Sequence, residues 1–282
     1  MPYADINGAR IYYEQCGSGS EAVVFAHGLL MCREMYAAQI EALQAHYRCI
    51  AFDCRGHGNS ESTRGGYSLD EFAEDAIELI RFLDCAPCHF VGHSLGGFIG
   101  LRLALRRPEL IRSLVLVNTT AEPEPRDQAA RYRLLNLIAR LVGLRPVAGQ
   151  VLPILFGRRF MTDTSRAAER EKWRTVLLQN DRRGVTRSTR AVIERDGIHE
   201  KVAAIAQPAL VITGSDDVAI SARRSRVLHE ALSNSRFVEL PNVGHSSPIE
   251  APAAVMEAIR EFLLDVRRIE HPSSEPDREA AT

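Results

Sequence analysis

Residues 89–101 read HFVGHSLGGFIGL, and no other stretch constrains the chain as tightly. An apolar run leads into a serine flanked by glycines two places away on either side, and a run with helical spacing follows at once. A buried strand that turns directly into a helix through Gly92-His93-Ser94-Leu95-Gly96 forces the serine into a strained backbone conformation. Only small residues two positions before and after it leave room for so sharp a turn. The turn lifts the hydroxyl clear of a sheet and sets it at a helix N-terminus, where backbone N–H groups face developing negative charge. A serine that merely caps a helix needs none of these neighbours.

The rest of the chain supplies the sheet. YADINGARIYY alternates around Asn7-Gly8, which predicts an opening β-hairpin with a tight turn. Short β-rich apolar runs follow at 22–27, 48–53, 88–93, 112–118, 208–213 and 235–240, separated by helical patterns, as in a mostly parallel sheet with crossover helices. Ser68 and Glu71 form a capping box ahead of Leu69, Phe72, Ala73, Ala76, Ile77, Ile80 and Leu83, spaced along one helical face. Val255, Ile259, Phe262, Leu263 and Val266 repeat that spacing, and a frayed tail is expected from 267. Between 121 and 200 the strand pattern stops and helical pieces such as RYRLLNLIARLVGL and AEREKWRTVLLQN take over, so a helical insertion is expected there between two strands.

A serine hydroxyl is a weak nucleophile, so a base must take its proton and a carboxylate must orient that base. For a nucleophile on a strand-to-helix elbow these partners follow in the order acid, then histidine, each after a later strand. VITGSDDVAI offers Asp216 and Asp217 after the strand at 208–213, and ELPNVGHSSPIE offers His245 after the strand at 235–240. The oxyanion of a tetrahedral intermediate needs two donors, expected from the backbone N–H of Leu95, next to the serine, and of Leu29, in the His27-Gly28-Leu29 loop after an earlier strand.

His27-Gly28, DCRGHGNS (53–60), GHSLGG, TGSDD and GHSSPIEAP together resemble the α/β-hydrolase superfamily, in the serine-nucleophile branch of 3-oxoadipate enol-lactonases and cofactor-free haloperoxidase-like esterases. The resemblance covers roughly residues 3–265. It implies a mostly parallel eight-stranded sheet flanked by helices, with a core at 1–120 and 201–266 and a helical cap at 121–200. It implies a triad of Ser94, Asp217 and His245, since the family pattern G-x-x-D counted from Gly214 selects Asp217 over Asp216. Some relatives place the acid one strand earlier, where this chain reads Asn118-Thr119-Thr120 and the nearest carboxylate, Glu122, is not expected to serve as the acid. Dehalogenating and epoxide-opening relatives carry aspartate at the nucleophile, which Ser94 argues against. Asp53 and His57 of DCRGHGNS are expected to brace the sheet, and Cys32 and Cys54 to line or fill the interior.

The expected reaction is hydrolysis of a small carboxylic ester or lactone through an acyl-enzyme, with no cofactor and no metal. Perhydrolysis with peroxide as acceptor uses the same groups, as do carbon–carbon bond hydrolases, and a slow-turnover ligand sensor of the same fold is the reading from another class. Six cysteines without a signal-like N-terminus predict reduced thiols and a cytoplasmic protein, and Cys85-x-x-Cys88 has no second pair with which to hold zinc. No apolar stretch approaches a membrane span, and a net charge of -1 gives no overall bias toward nucleic acid. That total conceals the insertion, where fifteen arginines and Lys172 face ten acidic residues, a net +6. Charge of one sign over an entrance favours an oppositely charged ligand, so an anionic substrate is one expectation. The other is that these arginines are solvated outer faces. The oligomeric state is not legible.

Overall fold

The computed structural model describes residues 2–270. Eight strands form one sheet: β1 (Tyr3–Ile6), β2 (Ala9–Cys16), β3 (Ala22–Ala26), β4 (Arg48–Phe52), β5 (Cys88–His93), β6 (Ile111–Val117), β7 (Ala209–Gly214) and β8 (Ser235–Leu240). Their spatial order is β1-β2-β4-β3-β5-β6-β7-β8. From β4 to β8 every pairing is parallel, while β1 and β2 form an antiparallel hairpin that attaches to β4. Asn7 and Gly8 close that hairpin with φ of 47° and 73°, the left-handed pair that Asn-Gly accommodates.

The helices are α1 (Ala37–Leu43), α2 (Leu69–Phe82), α3 (Leu95–Arg106), α4 (Arg126–Val142), α5 (Arg145–Leu155), α6 (Arg158–Thr162), α7 (Ala167–Gln179), α8 (Arg182–Ile193), α9 (Ala222–Ala231), α10 (Ser247–Glu250) and α11 (Pro252–Glu270). Strand residues alternate between two apolar layers, as a pleat requires. Val24, Phe90, Leu114 and Val211 face α2, α3 and α9, whereas Val23, Val91, Val115 and Ile212 belong to the layer that contains α1 and α11. The expected capping box is present, with Ser68 Oγ accepting from the Glu71 amide at 3.2 Å and Glu71 Oε2 accepting from the Ser68 amide at 2.8 Å. The stripe on α11 is buried from Val255 to Val266.

Two expectations change in detail. The helix at the C-terminal side persists through Arg267 to Glu270, so those residues are helical, and the remainder of the expected tail lies outside the described residues. The segment between β6 and β7 carries five helices, α4 to α8, and two 3-10 turns (Thr164–Arg166 and His199–Ala204), more elements than its two legible helical patterns disclose. Parallel strands all end at the same edge of the sheet. That edge receives the turn after β5, the loop after β3, and the loops after β7 and β8, with α4 to α8 packed over it.

Candidate active site

Ser94 sits between β5 and α3 with φ 49° and ψ -106°, a conformation that costs a non-glycine residue on the order of 1–3 kcal/mol. The surrounding hydrogen bonds hold it there: its amide donates to Val117 O at 2.9 Å, and its carbonyl accepts from Thr119 Oγ1 at 3.0 Å. A Cβ on Gly92 would lie 2.3 Å from Gly96 O, and one on Gly96 would lie 2.0 Å from Ala26 O. Both glycines are therefore fixed by close approach of backbone.

The loop after β8 brings His245 to this edge, and the loop after β7 brings Asp217. His245 Nδ1 donates to Asp217 Oδ2 at 2.8 Å, both side chains being buried. A carboxylate on Nδ1 sets the ring proton there, leaving Nε2 as the basic nitrogen. Asp217 is itself pinned: Oδ1 accepts from the amides of Ala219 and Ile220, each at 2.9 Å, and Oδ2 accepts from Asn118 Nδ2 at 2.9 Å. Asp216 is exposed and accepts only from Ser215 Oγ at 2.9 Å. Asn118 stands at the strand position where some relatives keep an acid, and here it supports Asp217 while its own Oδ1 accepts from Ser247 Oγ. Glu122 turns away to pair with Arg224 at 2.9 Å.

Two further residues steady the His245 loop, and neither stood out in the sequence. His93 Nε2 donates to the His245 carbonyl at 2.7 Å. Glu250 accepts from the amides of Gly244 at 2.9 Å, Gly157 at 3.0 Å and Ser246 at 3.1 Å, tying that loop to the start of α6; burial pushes its carboxyl pKa upward.

The loop after β3 approaches the serine closely. A Cβ on Gly28 would lie 2.3 Å from His93 Nδ1 and 3.4 Å from Ser94 Cβ. Leu29 thus lines the same cavity as Ser94, and Leu95 opens α3 directly after it. His27 donates from Nδ1 to Gly28 O at 2.7 Å and accepts at Nε2 from the Cys54 amide at 2.9 Å, and its ring lies 5.1 Å from that of His57. Asp53 accepts from the amides of Arg33 and Asn59 and from Arg33 Nη1, which binds the loop after β4 to the loop after β3. These contacts are structural.

Burial keeps these histidines neutral. It lowers His27 to about 4, His57 to about 3 and His93 well below the usual 6.5. Each is neutral folded and protonated unfolded below about pH 6.5, so the unfolded state binds more protons and stability is lost as the pH falls. Between pH 6.5 and 5.5 the unfolded rings go from half to mostly protonated, so the three together cost about 3 kcal/mol, roughly 1 kcal/mol each. The urea midpoint is expected to drop sharply over that interval, and a flat midpoint counts against neutral buried rings.

Ser94 and His245 open into a cavity of about 120 Å³ between the sheet edge and α4, α5 and α8. Its wall is mostly apolar, with Leu29, Phe98, Leu135, Val147, Ile154 and Ile220 among the lining residues. Tyr132 also faces it, its hydroxyl raised to about 12 by burial and then by the charge of Glu124. Cys32 and Cys54 are buried but do not line it, and burial pushes Cys32 up to about 12 and Cys54 well above the ordinary thiol range. Cys85 and Cys88 are buried where α2 leads into β5, a strand length from Ser94. Among the described residues no group of three or more His, Cys, Asp or Glu side chains is placed to hold a metal, and no helix is long and apolar enough to cross a membrane.

The charge of the insertion lies elsewhere. Of its fifteen arginines, eleven are exposed, three are half-buried and Arg195 alone is buried. Several pair locally, as Arg174 does with Glu171 and Arg190 with Glu194. Arg195 is the only arginine on the cavity wall among the described residues, and it is neutralised by Glu124 at 2.5 Å. The net +6 therefore lies mostly on the solvated exterior rather than around the cavity that contains Ser94.

Comparison with known proteins agrees with this architecture. Residues 21–252 match the family model described as alpha/beta hydrolase fold. A protein of Pseudomonas syringae pv. syringae that carries the name carbamate hydrolase RutD is 30% identical over 242 residues, 86% of this chain and 93% of that one. The 3-oxoadipate enol-lactonase 2 of Acinetobacter baylyi is 30% identical over 238 residues, 84% of this chain and 86% of its own. The crystal structure of the enol-lactonase from Burkholderia xenovorans LB400 superposes with a TM-score of 0.87 at 30% identity, over 93% of this chain and all of that one.

Proposed function

Because the chain belongs to the α/β-hydrolase family, and is a hydrolase, we propose that it cleaves a small carboxylic ester or lactone through a covalent acyl-enzyme on Ser94. The observation that carries this reading is the convergence of three separate loops: a strained serine and a carboxylate-bound histidine open into one apolar cavity. Ser94 Oγ attacks the carbonyl carbon as His245 Nε2 takes its proton, and Asp217 steadies the imidazolium that forms. The amides of Leu29 and Leu95 receive the negative charge that develops on the carbonyl oxygen. His245 returns the proton to the leaving alkoxide. Water, deprotonated by the same nitrogen, then releases the acyl group and restores the serine. No cofactor or metal takes part.

In this reading residues 1–120 and 201–266 are the catalytic core and 121–200 a cap that supplies the outer wall of the cavity. The thiols of the six cysteines are free, in keeping with a cytoplasmic setting. The apolar wall favours a neutral substrate over the anionic one that the insertion's charge suggested.

A fluorophosphonate is expected to label one residue, with the adduct mapping to Ser94 by peptide mass. A p-nitrophenyl ester and lactone panel, run with and without peroxide, then separates the reactions that share this triad. Steady multiple turnover without peroxide supports hydrolysis. Turnover that requires peroxide supports perhydrolysis, and a single burst supports a sensor. Labelling that persists undiminished in Ser94→Ala excludes this nucleophile.

A further inference from the structure

Glu124 and Arg195 are the charged carboxylate and guanidinium on the cavity wall, with side chains 4% and 2% exposed. One hydrogen bond joins them, from Arg195 Nη1 to Glu124 Oε2. The guanidinium is otherwise held by carbonyls, Nε donating to Glu122 O at 3.1 Å and Nη1 to Val192 O at 2.7 Å, and it rests over the Phe98 ring at 4.4 Å from the centroid. Each residue has one polar atom left over. Among the described residues, Arg195 Nη2 and Glu124 Oε1 are buried without a hydrogen-bond partner.

An unpaired buried polar atom costs about 1–3 kcal/mol, and native interiors carry few of them. Here two stand on one ion pair, at the wall of the cavity that contains Ser94. One is a donor, the other an acceptor, and the charges of the two residues cancel. Resting on the reading of Ser94 as nucleophile, we propose that this pair is a substrate-recognition site for a neutral group that presents an acceptor beside a donor, of which a carboxamide is the simplest.

The carboxamide oxygen accepts from Arg195 Nη2 while its N–H donates to Glu124 Oε1. A carboxylate matches only half of this pattern, because its second oxygen meets the Glu124 oxygen. An alkyl end leaves both protein atoms unpaired. The position also bears on chemistry: the Phe98 amide donates to Ser94 O at 3.0 Å, one turn along α3 and about 5.4 Å of axial rise. The guanidinium stacked on Phe98 thus lines the same cavity as Ser94, and graded chain lengths find its separation from the scissile bond.

The test uses p-nitrophenyl esters whose acyl chains, at graded lengths, end in a carboxamide, the isosteric methyl ketone, a carboxylate or an isopropyl group. At the best length the carboxamide is expected to exceed the methyl ketone by about tenfold to a hundredfold in kcat/KM, since the ketone leaves Glu124 Oε1 unpaired. Glu124→Gln places a second donor beside Arg195 Nη2 and removes the neutralising charge. It is expected to reverse the order, with the carboxylate ester overtaking the carboxamide. That reversal is read as a ratio within one preparation, so a lower yield of folded protein cancels. Wild-type rates for carboxamide and ketone within twofold at every length overturn the proposal without any variant. p-Nitrophenyl acetate, assayed alongside, keeps the two readings apart. Acetate turnover lost in Ser94→Ala with no carboxamide preference sinks the recognition site alone, whereas acetate turnover that survives Ser94→Ala sinks the nucleophile.

Discussion

Ser94→Ala is expected to lower kcat for ester hydrolysis by on the order of a million-fold while the urea midpoint holds or rises. The loss follows from the division of labour at the site: without Oγ there is no acyl-enzyme, and only cavity binding and the two oxyanion amides remain to speed direct attack by water. The stability half follows from the backbone. Ser94 is held at φ 49° by Val117 O, Thr119 Oγ1 and the approach of Gly96 to Ala26, none of which uses its hydroxyl. His245→Ala is expected to cost nearly as much, and the double variant little more than either single one, because nucleophile and base act as a unit. Multiplying losses in the double variant would mean that the two side chains work independently. Steady-state assays on one activated ester, with urea melts of each variant, decide the matter.

Asp217→Asn is expected to reduce kcat by about ten-thousand-fold, and Asp216→Asn by less than twofold. The adjacent carboxylates differ in everything but sequence. Asp217 is buried, accepts from His245 Nδ1 and is held by two amides and Asn118. Asp216 is exposed and touches Ser215. An asparagine at 217 can offer its amide N–H to Nδ1, which moves the imidazole proton to Nε2 and leaves no base facing the serine. The pair of variants is a sharp test because both remove one negative charge from the same loop. A purely electrostatic effect lowers the two activities alike, and a large loss in Asp216→Asn would overturn the assignment.

The glycine spacing around Ser94 was legible because the constraint is local and steric. A Cβ two residues to either side meets backbone, whatever the rest of the fold does. The parallel sheet was legible for a similar reason, since short continuous apolar runs alternating with helical stripes leave few ways to bury both. The resemblance of TGSDD and GHSSPIEAP to family motifs then singled out Asp217 and His245, the two residues that the fold brings to 2.8 Å. Asn118, His93 and Glu250 carried no such signal. An asparagine, a histidine and a glutamate are common residue types, and their value here comes from contacts across 99, 152 and 93 residues of chain.

The insertion shows the limit most clearly. Its net +6 was countable, but a count has no direction, and only packing decided that eleven arginines face solvent while Arg195 turns inward onto Phe98. Glu124 and Arg195 are 71 residues apart and occupy opposite ends of the helical segment. Their pairing exists because α4 and α8 pack against each other over the sheet edge. Sequence determined the elbow and the mostly parallel sheet, which follow from sterics and periodicity along the chain, and its resemblance to family motifs singled out the triad candidates. Tertiary structure decided the cavity wall and its one neutralised pair of charges, because burial and partnership depend on which distant side chains arrive at the same place.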